Sequence, residues 1–206
     1  MCRQTVEKKL RDALVNLMEG PNIMITNSST PWHQYAIISY LAQNLGGEFK
    51  LGKTAVQKLV YLIQELGRVP IGYRFHFYHY GPYSSDLAGD LGFVNTLKGV
   101  SIDYDQSLNM YDITQGENSG VLISKASDFV KCYEKAMDKI LRDFGRKRAQ
   151  ELELIATIIY VWKNAQDTEN YTEDYLIDHV SELKPKFERS EIEAALNYLK
   201  LKGHLQ

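Results

Sequence analysis

Arg74, His76 and His79 fall within one aromatic run, residues 73–80, YRFHFYHY. In an extended chain, side chains alternate between two faces. Arg74, His76, Tyr78 and Tyr80 then share one face, and Tyr73, Phe75, Phe77 and His79 share the other. An arginine beside a histidine could hold a phosphate or a carboxylate in a polar pocket. His76 and His79 are three residues apart and point to opposite faces, which argues against a shared metal site. The plainer reading is a half-buried strand whose polar tips reach water, and it carries the greater weight.

The remaining histidines, His33, His179 and His204, are scattered. Cys2 and Cys132 are too few for a disulfide framework or a cysteine metal site. The sequence carries no Gly-rich phosphate loop, no HExxH and no GxSxG. The expectation is therefore a non-enzymatic protein with no cofactor and no metal.

The elements around this run are legible from periodicity. Residues 5–19 repeat apolar side chains at helical spacing and end at Gly20-Pro21. A linker rich in Asn, Ser and Thr follows. Residues 32–45 and 53–66 predict two helices joined by a short turn, a helix-turn-helix outline or, with equal weight, a plain helical hairpin. On the second of these, Ala55, Val56, Leu59, Leu62, Ile63 and Leu66 predict a buried face. Thr54, Gln57, Lys58, Tyr61 and Gln64 are left for the outer face. Gly81-Pro82 is expected to break the aromatic strand, and Ser84 to cap a helix over 85–97. Residues 100–113 alternate as a β-hairpin turning at Gln106-Ser107. A polar loop over 115–120 leads to a helix over 125–145 and a strongly apolar helix over 151–165. Two final helices are predicted over 173–183 and 190–202, the last with capping-box spacing at Ser190 and Glu193.

The expected fold is α+β and mostly helical. It has a winged-helix-like N-terminal body with a small aromatic strand and hairpin sheet, followed by a C-terminal helix-turn-helix-like unit. The expected divisions are 1–31, an N-terminal helix and linker; 32–122, the winged-helix-like domain; and 123–206, the C-terminal helical unit.

Net charge is −2 over 206 residues, unevenly spread. Residues 151–206 hold 11 acids and 6 bases and are net −5; residues 1–150, with 15 and 18, are net +3. Neither part has the basic excess usual in nucleic-acid binders. No apolar run approaches the roughly 20 residues of a membrane span, and the charged N-terminus lacks a signal core. A cytoplasmic location is expected.

The segment KLVYL at Lys58 to Leu62, an aromatic strand, and YGPYS at Tyr80 to Ser84 together resemble a prokaryotic pattern. That pattern is a QKL(x)Y helix, an aromatic strand and a YGP(x)S corner. It is similar to the YwgA-like uncharacterised family and, more distantly, to the SocA-like (Panacea) antitoxin domain. The tail, with Trp162-Lys163-Asn164, Leu183-Lys184-Pro185 and Tyr198-Leu199-Lys200, resembles the C-terminal half of YwgA-like proteins. The resemblance covers about residues 32–206 and leaves out the N-terminal helix. It implies a winged-helix-like body and no established reaction. For the antitoxin relatives it implies neutralising a toxin, sometimes by handing it to a protease.

The sequence thus leads to a protein-binding module, antitoxin- or adaptor-like, whose partner is another protein, such as a toxin, or a second copy in a homodimer. Tyr78, Tyr80 and Tyr83 are its expected anchors, with Arg74 and His76 beside them. The alternative is a winged-helix DNA-binding regulator. There Thr54, Gln57, Lys58 and Tyr61 would face the major groove, and Lys50 and Lys53 would touch phosphate. Asp103, Asp105 and Asp112 on the expected wing count against it, since they would repel phosphate.

Overall fold

The computed structural model describes residues 30–47, 50–106, 109–165 and 172–205. The expected N-terminal helix, residues 5–19, lies outside the described residues. The fold is α+β and mostly helical, with eight helices and two two-stranded antiparallel sheets among the described residues.

Helix α1, Trp32–Leu45, is apolar on most sides and buries Tyr35 to Ala42 without a gap. It ends at Gly46 and Gly47, the latter with a positive φ of 92°. Helix α2, Lys53–Glu65, is buried continuously from Ala55 to Ile63. A helix covered on all sides is a core helix rather than an amphipathic surface one. The expectation of a polar outer face on α2 is therefore corrected. Gln57, Lys58 and Tyr61 are only 6, 1 and 2% exposed.

The aromatic run is strand only over β1, His76–Tyr78, which pairs with β2, Gly81–Tyr83. Gly81-Pro82 therefore does not end the strand region. It forms the return strand of a hairpin that turns at His79 and Tyr80, with Tyr78 opposite Gly81 and His76 opposite Tyr83. Pro82 lacks a donor, and a sheet of two strands leaves it a free edge on which that costs nothing. The alternation across the run survives: Phe75 and Phe77 are half-buried, while Arg74, His76 and Tyr78 are exposed.

Helix α3, Ser85–Thr96, starts on the Ser84 hydroxyl, which accepts from the Leu87 amide, with Asp86 in the first turn. Strands β3, Val100–Asp105, and β4, Met110–Gln115, form the second hairpin. Of its expected turn, Ser107 lies outside the described residues. The Ile113 amide donates to the Leu51 carbonyl at 2.9 Å, so this hairpin holds the chain just before α2.

Helix α4, Ser119–Lys125, occupies a stretch whose start is expected from sequence to be polar loop. Helix α5, Ser127–Phe144, follows after a break at Ala126. Helix α6, Ala149–Ala165, buries Leu152 to Ile159 continuously and packs on α2 and β2. Helices α7, Glu173–Leu183, and α8, Arg189–Leu201, cover its far side. Thr172 caps α7, its hydroxyl accepting from the Tyr175 amide. The capping box of α8 is Glu188 with Glu191, two residues earlier than Ser190 with Glu193. One buried cluster runs through α1, α2, α6 and the terminal helices. No helix among the described residues is long and apolar enough to cross a membrane.

Candidate functional site

The hairpin β1–β2 stands on α2 and α6 through polar groups that are themselves buried. Gln57 lies opposite Ser84 and exchanges two hydrogen bonds with its backbone, donating to the carbonyl and accepting from the amide, each at 2.9 Å. This is the pattern of a strand pair, made by a side-chain amide. Two turns along α2, Gln64 does the same with the backbone of Tyr73, at 3.0 Å both ways. Between them Lys58 Nζ donates to the Pro82 carbonyl at 2.7 Å. Every orphan backbone group of a short exposed hairpin would otherwise need water.

Lys58 is buried, and burial lowers its pKa from 10.5 to about 8. The carboxylate of Glu153 opposes that shift, and the ammonium of Lys184 adds to it. Glu153, on α6, is buried and held at both oxygens, by Lys184 and Lys186 at 2.8 Å each. Lys184 also donates to the His79 carbonyl, so the two ends of the hairpin turn rest on two buried lysines. Burial pushes the Glu153 pKa up, but the hydrogen bonds and charges of Lys184 and Lys186 outweigh it and leave the carboxyl below its usual range. Tyr61, also buried, packs edge-on to Phe75 with ring centroids 5.0 Å apart, and burial raises its pKa.

On the outside of this support the three tyrosines are exposed. Tyr78, Tyr80 and Tyr83 are 61, 63 and 38% exposed. The rings of Tyr78 and Tyr83 lie 6.0 Å apart, and Lys186 Nζ stands 5.8 Å over Tyr80. They border a cleft of about 480 Å³. Its apolar wall is completed by Ala88 and Leu91 of α3 and Ile102 of β3, and its floor by Gln57, Lys58 and Gly81. Gly81 has φ +82°, and a Cβ there would come within 3.0 Å of Thr157 Oγ1, so the close approach of hairpin to α6 requires glycine.

The site residues expected from sequence thus divide. Tyr78, Tyr80 and Tyr83 come together at the cleft. Arg74 and His76 are exposed on the same hairpin approach but do not line it. Of the residues expected to meet DNA, Gln57, Lys58 and Tyr61 point into the core, so that expected surface is corrected. Thr54 and Lys53 border the cleft. Lys53 Nζ sits 3.5 Å over the Tyr111 ring. Lys50 is engaged by Asp105 and Asp112, at 2.9 and 3.2 Å. The sequence reading missed Glu153 and Lys184. A glutamate inside an otherwise apolar helix, and a lysine in the tail pattern Leu183-Lys184-Pro185, were the available signals.

No family model matches the chain. It is 24% identical over 155 residues to the uncharacterized protein YwgA of Bacillus subtilis (strain 168), a match that covers 72% of this chain and 85% of that protein. That similarity agrees with the YwgA-like resemblance of the motif.

Proposed function

We propose that the protein is a non-enzymatic protein-binding module of the prokaryotic cytoplasm, acting as an antitoxin or adaptor, and that hairpin β1–β2 with its cleft is the recognition surface. The observation that carries this reading is the exposure of three tyrosines around one apolar cleft on a hairpin fixed from behind. Aromatic side chains with a polar tip are the usual anchors of binding hot spots. A short two-stranded hairpin is marginal alone, so the buried clasp from Gln57, Lys58 and Lys184 supplies the rigidity that a recognition surface needs.

The distant likeness to the SocA-like antitoxin domain supports the same reading, because the residues that carry it are the ones that build this surface. Lys58 holds the return strand at Pro82, Gly81 and Pro82 open that strand, and Tyr80 and Tyr83 stand exposed on its outside. A winged-helix-like arrangement of α1, α2 and hairpin β3–β4 belongs to the same proposal. The DNA-binding alternative draws less support, since three of its six residues are buried.

The test is co-purification from the native host. Tyr80→Ala and Tyr83→Ala should each lose the partner that the unaltered protein retains, with unfolding free energy changed by less than about 0.5 kcal/mol, as for other exposed positions. A partner retained by both variants would sink the proposal. So would a collapse of stability, which would make these rings structural.

A further inference from the structure

The cleft is distinguished by its charge. Two of its lining residues are lysines, Lys53 and Lys58, and among the described residues no carboxylate lines it. Lys53 is exposed, and its described partner is the neutral ring of Tyr111. Lys58 is buried, and its described hydrogen bond goes to a neutral carbonyl. Among the described residues the carboxylate with electrostatic reach of Lys58 is Glu153, which already carries ion pairs to Lys184 and Lys186. Three ammonium groups therefore share a single carboxylate behind the hairpin. Several nearby acids are engaged elsewhere: Asp105 and Asp112 hold Lys50, Asp103 accepts from the Ser101 hydroxyl, and Asp90 accepts from the Tyr73 hydroxyl at 2.8 Å. A cation excess behind low-dielectric walls focuses positive potential into the opening.

We infer that the cleft takes an acidic segment of a partner protein, an Asp or Glu beside an aliphatic or aromatic anchor. This inference rests on the protein-binding reading and adds the chemistry of the partner. The anchor side chain enters among Tyr78, Tyr83 and Leu91, and about 480 Å³ is room for one or two side chains. The carboxylate meets Lys53 at the rim, where pairing costs little desolvation. Lys58 acts from the floor through its field and keeps its bond to Pro82. A basic or purely apolar segment would gain nothing from either lysine, so the charge sets selectivity among segments that all satisfy the tyrosines.

The experiment is selection of phage-displayed random linear octapeptides on the immobilised full chain, with the Tyr83→Ala chain as a parallel bait. The expected peptides place Asp or Glu within two positions of Phe, Leu or Tyr and are net negative. A synthetic consensus peptide should bind Lys53→Glu at least tenfold more weakly than the unaltered chain. Replacing its acids with Asn and Gln should cost a similar factor on the unaltered chain and should strengthen binding to Lys53→Glu, where it removes a like-charge contact, the signature of a direct pair. Peptides enriched without acids, or bound equally by Lys53→Glu, overturn the acidic-segment inference and leave the tyrosine surface standing. No enrichment over the Tyr83→Ala bait overturns the surface itself. Lys53 is exposed, so its substitution reads recognition and not folding.

Discussion

Lys58 and Pro82 are joined by a 2.7 Å hydrogen bond from ammonium to carbonyl, made across 24 residues and sealed from water. The bond ties the core helix α2 to the return strand of hairpin β1–β2. Its donor is a charge held where charge is costly, and that cost is visible as a pKa lowered to about 8.

The first prediction is a rise of stability in alkali. In the folded protein Lys58 loses its proton near pH 8, while in the unfolded chain it keeps it to about 10.5. Between those values the unfolded chain binds more protons, so stability rises with pH. Below pH 8 both states are protonated and the cost of the buried charge is at its full size. The gain from pH 7.5 to 9.5 is roughly 2 kcal/mol. Lys58→Met has no such proton, so the difference between the two proteins in urea unfolding should move by that amount. A pH-independent difference would mean that Lys58 keeps its ordinary proton affinity.

The second prediction separates the two glutamines of α2. Gln57→Ala leaves the buried Ser84 amide without a partner, at a cost of about 3 kcal/mol. Gln64→Ala breaks the same kind of pair with Tyr73, but in a half-buried setting where water can replace it, at a cost of about 1 kcal/mol. Urea unfolding of the two variants checks the order. Equal losses would show that burial does not set the value of these bonds.

These polar residues mark where sequence reasoning stops. Helix positions are readable because periodicity and caps are local: α1 and α2 begin at the expected residues, and Ser84 and Thr172 cap their helices. The environment of Gln57, Lys58 and Tyr61 is not, because polar types read as solvent-facing unless their partners are known. For Gln57 and Lys58 those partners are backbone groups of Pro82 and Ser84 and the far carboxylate of Glu153, while Tyr61 packs against Phe75. The Gly81-Pro82 step likewise reads as a breaker. Its place as a strand depends on α6, which supplies Thr157 and Glu153 beneath it. Of the candidate site, the exposure of Tyr78 is legible from alternation, whereas Tyr80 stands in the turn and Tyr83 on the return strand. The cleft these three border is not legible, since Leu91 and Ile102 arrive on other elements.

The third prediction concerns Gly81. Gly81→Ala places a side chain at φ +82° and a Cβ 3.0 Å from Thr157 Oγ1. The backbone conformation costs about 1–2 kcal/mol and the contact adds to it. In combination with Thr157→Ala the contact is relieved and the backbone cost remains. The double variant should therefore lose less than the two single losses added together, by at least about 0.5 kcal/mol in thermal or urea unfolding. Strict additivity would show that hairpin and helix are not in close contact at this point.

The fourth prediction follows from Glu153 serving several lysines. Glu153→Ala leaves Lys184 buried without its carboxylate, and breaking a buried pair in this way costs about 3 kcal/mol or more. Glu153→Gln keeps the shape and removes the charge, which allows the acid limb to be read. The folded carboxyl lies below its usual range, so on acidification the unfolded chain takes up the proton first. The stabilisation is complete above pH 4.5 and is lost as pH falls further. The unaltered protein should therefore hold its advantage over Glu153→Gln down to about pH 4.5 and approach that variant as pH falls further. The same substitution acts on the alkaline limb. Glu153 raises the pKa of Lys58 against the effect of burial, so its loss lets that pKa fall further. In Glu153→Gln the alkaline rise of stability should begin at a lower pH than in the unaltered protein. An unchanged alkaline midpoint would mean that Glu153 and Lys58 are not coupled, and that the positive charge behind the hairpin is not shared among the three lysines.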